Sequence, residues 1–235
     1  MDDTIAIIVA GEIRTLQTTH KTWPTQITNG CISVYTWDHC TETNRHVGRS
    51  MVKKLISTRQ IRILPRYTNL EDWKTWSVCR QIFLWQMAVQ ELPDSAEVVV
   101  VMRPDCAFSP YPVDWDFLLS VARQEGWKIF TAFQSQYNPF ADVCFWGHRN
   151  AISKFVLGLS IDEFLAQPTA EVHQWFYDRA TTHGLTVDTR TDIRPLIIRP
   201  AAAHCDVTTE QGWSDASDIG IIDIEGRLRR RNQIT

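Results

Sequence analysis

Short β-branched runs alternate along the chain with longer stretches whose apolar positions recur at helical spacing. The runs that predict strands are Ile5–Ala10, Cys31–Tyr35, Ile61–Leu64, Glu97–Met102, Ile129–Phe133, Val143–Gly147 and Leu196–Pro200. The stretches that predict helices are Trp73–Leu92, Asp116–Gln124, Arg149–Leu157 and Pro168–His183, with Gly184 as the C-cap of the last. This alternation is typical of an α/β protein with a mostly parallel central sheet flanked by helices.

The strongest predicted strand ends in Val98–Met102, which contains no polar residue. Such a strand is expected at the centre of the sheet, covered on both faces. The pattern weakens after about residue 207, and residues 226–235 are expected to form a flexible basic tail. Because no repeat, low-complexity segment or linker interrupts the chain, residues 1–235 are expected to form one domain.

Composition narrows the class of protein. The 235 residues are 44% hydrophobic and carry a formal net charge of −3, which argues against disorder and against nucleic acid as the main partner. Four arginines within residues 227–231 leave nucleic-acid binding as an alternative to a solvated tail. Ten tryptophans equal the glycines in number, which is unusually many for a soluble domain.

Location and cysteine chemistry follow from simple patterns. The N-terminus has no basic segment or cleavage site before its first strand, and no apolar run approaches the ~20 residues of a membrane-spanning helix. We therefore expect a cytoplasmic protein with no membrane span. The six cysteines include no C-x-x-C pair, so we expect reduced thiols and no zinc site.

Polar residues that directly follow apolar strands are the first candidates for a site, because open α/β sheets bind ligands at the carboxyl ends of their strands. The first such segment is Ala10–Arg14. Gly11 allows a close backbone approach to a ligand, and Arg14 can reach a phosphate or a base. A plain strand-to-helix turn is the alternative. No G-x-G-x-x-G or P-loop pattern occurs, which weighs against those two modes of nucleotide binding.

The second segment is Arg103–Asp105, after the strongest strand. Asp105 can bind a divalent cation that bridges the oxygens of a diphosphate, and Arg103 adds fixed positive charge. An ion pair that caps the strand is the alternative. Asp114 and Asp116 form a competing D-x-D pair, but their position predicts the N-cap of a helix.

The third candidate is Asp142, a lone carboxylate before a predicted strand. It is placed to act as a general base toward an acceptor hydroxyl, with a turn aspartate as the alternative. Among the histidines, His204 is considered as a late metal or phosphate contact. His173 and the others show no ligand-type spacing, and too few His and Asp residues cluster for a metal hydrolase.

Taken in order, these segments resemble small bacterial and viral sugar transferases of the lipopolysaccharide-synthesis type. The segments that carry the resemblance are Ile7–Thr15, Val34–Asp38 with its Trp-Asp ending, Gln81, Val99–Asp105 with its Arg-x-Asp ending, Asp142–Gly147, Glu171 in the helix Glu171–Arg179, and Leu196–Arg199. They span roughly residues 5–200, and their order and spacing carry the resemblance.

The resemblance implies a single-domain GT-A (Rossmann-like) glycosyltransferase that takes a nucleotide-sugar, commonly UDP-linked, often with Mn²⁺ or Mg²⁺. The nucleotide-sugar contacts are then expected at Ala10, Gly11, Arg14, Trp37, Asp38, Gln81, Arg103 and Asp105. Arg103 stands in place of the first acid of the usual D-x-D motif. Asp105 corresponds to the acid that holds the metal, and Arg103 is expected to take over part of the metal's role.

Transfer of a sugar needs two kinds of help. Cationic groups stabilise the departing diphosphate, a task we assign to Arg103, to Asp105 with its metal, and to Arg14. A base assists the hydroxyl of a carbohydrate or other acceptor, a task we assign to Asp142.

Three tryptophans are expected near this chemistry. Trp37 and Trp146 fall at predicted strand ends, where flat rings suit a sugar face or a base, and Trp213 is expected to help cover an acceptor.

The alternative function is a catalytically silent nucleotide-sugar-binding or carbohydrate-binding module, which the missing first acid favours.

Overall fold

The computed structural model describes residues 2–13, 15–37, 50, 52–56, 58–64, 73–132, 139–167, 171–198 and 202–218. The strands in this part of the chain are β1 (Asp2–Ala10), β2 (Gly30–Trp37), β3 (Gln60–Leu64), β4 (Val98–Met102), β5 (Cys106–Ala107), β6 (Lys128–Ala132), β7 (Cys144–His148), β8 (Thr186–Arg190) and β9 (Leu196–Ile197). The helices are α1 (Leu16–Thr19), α2 (Thr25–Thr28), α3 (Trp73–Gln90), α4 (Trp115–Gln124), α5 (Arg149–Gly158), α6 (Ile161–Leu165) and α7 (Val172–Thr182), with a 3₁₀ turn at His20–Thr22 and further helical residues at 52–55 and 210–218.

Seven strands form one sheet in the order β3-β2-β1-β4-β7-β6-β8. Six of them run in the same direction, and β7 runs antiparallel to both of its neighbours. Helices α3, α5 and α7 pack on one face of the sheet, and α4 packs on the other with the short N-terminal helices. The predicted α/β class, a mostly parallel central sheet flanked by helices, is confirmed.

Strand β4 lies in the middle of the sheet and is buried throughout. Val99 and Val101 face the core on the α3 side, whereas Val98, Val100 and Met102 face the core on the α4 side. Both faces are therefore covered, which explains why the strand has no polar position. The central placement predicted from its sequence is confirmed.

Two strands differ from the sequence prediction. Strand β8 was not predicted because Val187 is its only apolar residue; it forms an edge of the sheet, parallel to β6. The predicted strand Leu196–Pro200 is reduced to β9 within the described residues, and it pairs antiparallel with β5 in a separate two-stranded sheet.

Helix ends follow local capping chemistry. Helix α7 begins at Val172, later than predicted, because the Glu171 carboxylate caps it by accepting from Gln174 N–H at 2.9 Å. The C-cap residue is His183, and Gly184 follows it with φ of +70°, so the helix ends at the predicted glycine, one position beyond the cap. The helical residues 210–218 were not predicted. Within the described ranges, no helix has the length and apolarity needed to cross a bilayer.

The chain order creates a switch point beside β1. The strands proceed from β1 through β2 to β3 at one edge, and α3 then returns the chain to β4 on the other side of β1. The carboxyl ends of β1 and β4 touch there: a Cβ built on Gly11 would lie 3.1 Å from Pro104 Cδ, and Gly11 has φ of +137°. Both facts require glycine at this position.

Trp146 is a core residue. It is fully buried in β7, where its ring stacks on Phe130 at a centroid distance of 5.8 Å and contacts Trp115 at 5.5 Å. The expectation that its ring is open to a sugar is therefore wrong. The alternation of side chains along β7 turns residue 146 into the core on the α4 side.

We expect Trp146→Ala to lower the free energy of unfolding by about 3–5 kcal/mol, because it opens a large cavity in the core. Trp127→Ala is the matched control, since Trp127 is 59% exposed and contacts Lys154 Nζ at 4.7 Å. Its cost is expected to stay at or below about 1 kcal/mol. Urea unfolding followed by circular dichroism measures both, and similar costs would contradict the buried placement of Trp146.

We expect Gly11→Ala to destabilise the protein by about 1–3 kcal/mol, since alanine at this φ is strained and its methyl group presses on Pro104. Gly126→Ala is the control, because a Cβ there meets no atom within 4 Å. Its effect is expected to stay within about 0.5 kcal/mol. Equal urea midpoints for the two variants would show that the ends of β1 and β4 do not meet as described.

Candidate functional site

The candidate site is built on the tight turn Arg103–Asp105 at the carboxyl end of β4. Backbone hydrogen bonds hold this turn from several directions. Arg103 N–H donates to Val143 O (3.0 Å), Cys106 N–H to Arg103 O (3.1 Å), Ile198 N–H to Asp105 O (2.8 Å), and the Thr19 hydroxyl to Pro104 O (2.6 Å). These partners come from α1, β5 and the chain next to β7 and β9, so the turn is fixed by the rest of the fold.

Arg103 and Asp105 form a two-point ion pair. Arg103 Nε donates to Asp105 Oδ1 at 2.9 Å, and Nη2 donates to Oδ2 at 2.7 Å. The Asp105 side chain is only 4% exposed, whereas Arg103 is 21% exposed. Burial opposes the charge on Arg103, but the carboxylates of Asp105 and Asp142 outweigh it and raise the pKa of Arg103 above its ordinary value. Arg103 is therefore a permanent cation.

Asp142 and His173 extend this pair into a row of charged and polar groups. Asp142 Oδ2 lies 3.8 Å from Arg103 Nη1, and Asp142 Oδ1 lies 3.9 Å from His173 Nδ1. His173 Nδ1 is also 2.8 Å from Phe140 O, and because a carbonyl only accepts, Nδ1 carries a proton and donates to it. The row runs Asp105, Arg103, Asp142, His173.

Sequence reasoning missed His173. Its histidine-to-carboxylate proximity arises because the first turn of α7 approaches the residues that precede β7. No spacing motif encodes that approach, since 31 positions separate the two side chains along the chain (173 − 142). The only available signal for this contact was the order of the secondary-structure elements along the chain.

The end of β1 forms the opposite wall of the site. Gln81 Nε2 donates to Ala10 O at 3.2 Å, and Gln81 Oε1 lies 3.7 Å from the place where a Gly11 side chain would begin. The structure therefore brings Ala10, Gly11 and Gln81 to the same switch point as Arg103 and Asp105. Their roles in binding a nucleotide-sugar stay predictions.

Other expected site residues are placed differently or are not described. Trp37 stacks on Phe83 at 6.0 Å and is only 5% exposed, so its ring serves the core and the expected stacking on a ligand is not supported. Arg14 and Asp38 lie outside the described residues. His204 is exposed in the turn after β9, next to Ala203, whose carbonyl accepts from the Thr18 hydroxyl at 2.7 Å.

The described residues do not fit a divalent metal. Both oxygens of Asp105 already accept from Arg103, and in the described parts of the chain no three His, Cys, Asp or Glu side chains cluster as metal ligands. Use of Mn²⁺ or Mg²⁺ through Asp105 and His204 stays a prediction from the resemblance. The geometry of Asp105 also agrees with the alternative interpretation, in which it forms an ion pair that caps the strand.

The competing D-x-D pair has a structural role. Asp114 caps α4 by accepting from Phe117 N–H at 2.9 Å, as predicted, and Asp116 accepts from Gln26 Nε2 at 2.8 Å.

Two cysteines beside the site are inert. Cys106 and Cys144 are fully buried free thiols, and burial raises the pKa of each well above its ordinary value. The expectation of buried reduced thiols holds for this pair.

Comparison with known proteins gives only distant similarity. No protein-family model matches the chain, and no curated protein matches it. Among solved structures, the chain is similar to 4-diphosphocytidyl-2C-methyl-D-erythritol synthase from Anaerococcus prevotii, with 11% identity, a TM-score of 0.48, and coverage of 93% of this chain and 99% of that chain. It is also similar to mouse xyloside xylosyltransferase 1 in its apo form, with 9% identity, a TM-score of 0.46, and coverage of 81% and 85%. Because both TM-scores are below 0.5, a function for this chain must be inferred from its own residues.

Proposed function

We propose that this protein is a glycosyltransferase that moves a sugar from a nucleotide-sugar, UDP-linked, to a hydroxyl acceptor. The observation that carries the proposal is the Arg103 cation, held by Asp105 at the switch point between β1 and β4. Ligands of open α/β sheets bind at such points, outside the carboxyl ends of the strands. The sequence resemblance to sugar transferases supports the same donor class.

Arg103 has donors to offer a diphosphate. A guanidinium carries five N–H groups, of which Nε–H and one on Nη2 are used by Asp105. Within the described residues the remaining three N–H groups make no hydrogen bond. The Asp142 carboxylate is 3.8 Å from Nη1, which is beyond hydrogen-bond distance. The planar arrangement of these N–H groups suits two phosphate oxygens.

Arg103 alone does not neutralise a diphosphate. The site places two carboxylates, Asp105 and Asp142, around one guanidinium, so these three groups sum to a charge of −1. We propose Arg14 as the second cation, as the resemblance implies. Because the described residues supply no metal ligand set, a divalent cation is left as a variable of the binding experiment.

Asp142 is proposed as the general base. Its carboxylate is 17% exposed and faces Arg103, the group assigned to the donor diphosphate. In the transfer step the acceptor O–H proton moves to Asp142 while the acceptor oxygen bonds to the anomeric carbon. The bond from that carbon to the diphosphate breaks, and its electron pair leaves with the diphosphate. Arg103 stabilises the charge that develops there.

A catalytically silent nucleotide-sugar-binding or carbohydrate-binding module is the second candidate. Its support is that both oxygens of Asp105 are engaged by Arg103, the residue that replaces the first acid of D-x-D. The two candidates differ in one readout, which is release of free UDP from a UDP-sugar.

A cytoplasmic location also stays a prediction.

We expect UDP and a UDP-sugar to raise the melting temperature with increasing concentration, because ligands that bind only the folded state stabilise it by about 2.7 kcal/mol at 100 times Kd. Arg103→Lys keeps the charge but loses the planar donors, so UDP affinity by calorimetry is expected to fall at least about tenfold. Arg123→Lys, an exposed substitution on α4 whose parent side chain pairs with Glu97, is the control.

Each titration is run with Mn²⁺ and again with EDTA. Affinity unchanged by EDTA would mean that protein cations alone hold the diphosphate, whereas loss of binding would assign the metal a role. Failure of every nucleoside diphosphate to bind, or equal affinity in Arg103→Lys and the wild type, would reject Arg103 as the phosphate contact.

We expect Asp142→Asn to slow UDP release from a UDP-sugar by about 10²–10⁴-fold, the usual contribution of a positioned base, with UDP affinity nearly unchanged. Asp178→Asn is the control, since Asp178 is exposed on α7 and, among the described residues, its carboxylate accepts only from Gln174 Nε2. Lost UDP binding would reassign Asp142 to the donor site, and full activity would exclude it as the base.

A further inference from the structure

A groove lies beyond the candidate site, along the two-stranded sheet formed by β5 and β9. It has a volume of about 600 Å³, within the usual range for ligand sites. Three segments line it: the loop after β5, the turn between β8 and β9, and the helical residues 210–218. The side chains that the argument uses are Tyr111, Asp192, Arg194, Glu210, Trp213 and Asp218.

The groove is close to the site along the backbone. Strand β5 begins directly after Asp105, and the Ile198 N–H after β9 donates to Asp105 O at 2.8 Å. Ser109 is four residues beyond Asp105, which limits the distance between them to about 14 Å even for extended chain. A molecule of several sugar units in the groove therefore lies close enough to present one end to the site.

The groove is also elongated. A second cavity of about 200 Å³ shares Ser109, Tyr111 and Arg194 with it and continues toward Pro24 and Trp115. Two cavities joined at three shared residues suit a chain-like ligand better than a single compact one.

Its lining combines aromatic rings with polar groups. Trp213 is half-buried and packs against the small cluster around Ala107 and Ile198, so its position is supported from beneath. Tyr111 is 61% exposed at the junction of the two cavities. Aromatic rings of this kind bind the apolar faces of sugars, and the surrounding hydroxyls and carboxylates bind sugar hydroxyls.

Negative charge disfavours the donor in this groove. Of the three lining carboxylates, Asp192 is paired with Arg190, and Glu210 and Asp218 stand against the guanidinium of Arg194, which leaves a net charge of −1. A phosphate-bearing ligand is disfavoured by this excess of negative charge. A neutral carbohydrate meets no such penalty.

The turn at one side of the groove is held in place before any ligand binds. Asp192 accepts from Arg190 Nε at 3.1 Å and from Nη2 at 3.0 Å, and Arg194 Nε donates to Thr191 O at 3.2 Å. Hydrogen bonding from Arg190 lowers the pKa of Asp192, so its carboxylate is charged at neutral pH. A fixed wall reduces the ordering cost of binding.

We propose that this groove binds the acceptor of the transfer reaction, a neutral oligosaccharide, with Trp213 and Tyr111 as its stacking residues. The proposal rests on the proposed function and names the substrate class that completes it. It assigns the donor and the acceptor to two adjacent surfaces, one beside Arg103 and one beside Trp213.

The test compares Tyr111→Ala, Trp213→Ala and Trp213→Phe with the wild type. Trp127→Ala is the matched control, because its side chain is as exposed as that of Tyr111 (59% against 61%) but lines neither cavity. The acceptor probes are neutral p-nitrophenyl disaccharides of glucose, galactose and mannose, offered with a UDP-sugar that the wild type hydrolyses. Three quantities are measured: acceptor KM, UDP affinity and the rate of UDP-sugar hydrolysis in water.

We expect both alanine variants to raise acceptor KM at least about tenfold, with Trp213→Phe retaining most of the wild-type value and Trp127→Ala unchanged. UDP affinity and hydrolysis in water are expected to stay as in the wild type. Unchanged acceptor KM in both alanine variants overturns the groove as the acceptor site while leaving the proposed function intact, and Tyr111→Ala decides the matter if the Trp213 variants misfold.

A separate binding experiment distinguishes failure of the two proposals. Saturation-transfer NMR with the same disaccharides reports binding without turnover. If no UDP-sugar is hydrolysed, the proposed function fails; disaccharide binding that Tyr111→Ala and Trp213→Ala abolish would then still support the groove. Absence of binding by every disaccharide to the wild-type protein overturns it.

Discussion

The structure depends on a buried ion pair at the end of its central strand. A carboxylate removed from water is costly by several kcal/mol unless a cation and hydrogen bonds accompany it, and Asp105 obtains both from Arg103. That requirement holds the turn after β4 in one conformation. The backbone of the same turn holds β9, α1 and the residues before β7, so the layout of the site follows from neutralising one buried charge.

Most of the fold could be predicted from the sequence because local patterns encode it. Strands β1, β2 and β4 are apolar runs, and the buried helix α3 has apolar residues at helical spacing. Prediction failed for β8, whose polar sequence suffices only because an edge strand needs little burial. The pairing of β9 in a separate sheet could not be predicted, because its partner β5 is only two residues long and has no pattern of its own.

The site was predictable to the extent that strand ends reveal it. Arg103, Asp105 and Gly11 follow apolar strands directly, and parallel strands bring such residues to one edge. Contacts between distant segments have no such signal. His173 joins Asp142 only through the packing of α7, and Trp146 belongs to the core only through the side on which β7 presents it.

The central position of β4 has a consequence for synthesis of the chain. Strand β1 is made before β4, and one of its two edges receives its partner only when β4 leaves the ribosome, 88 residues after Ala10 (98 − 10). At ~5–20 residues per second this edge has no intramolecular partner for on the order of ten seconds. An apolar strand with an open edge invites pairing with other chains, so chaperones or a low concentration of nascent chains would protect the protein until β4 emerges.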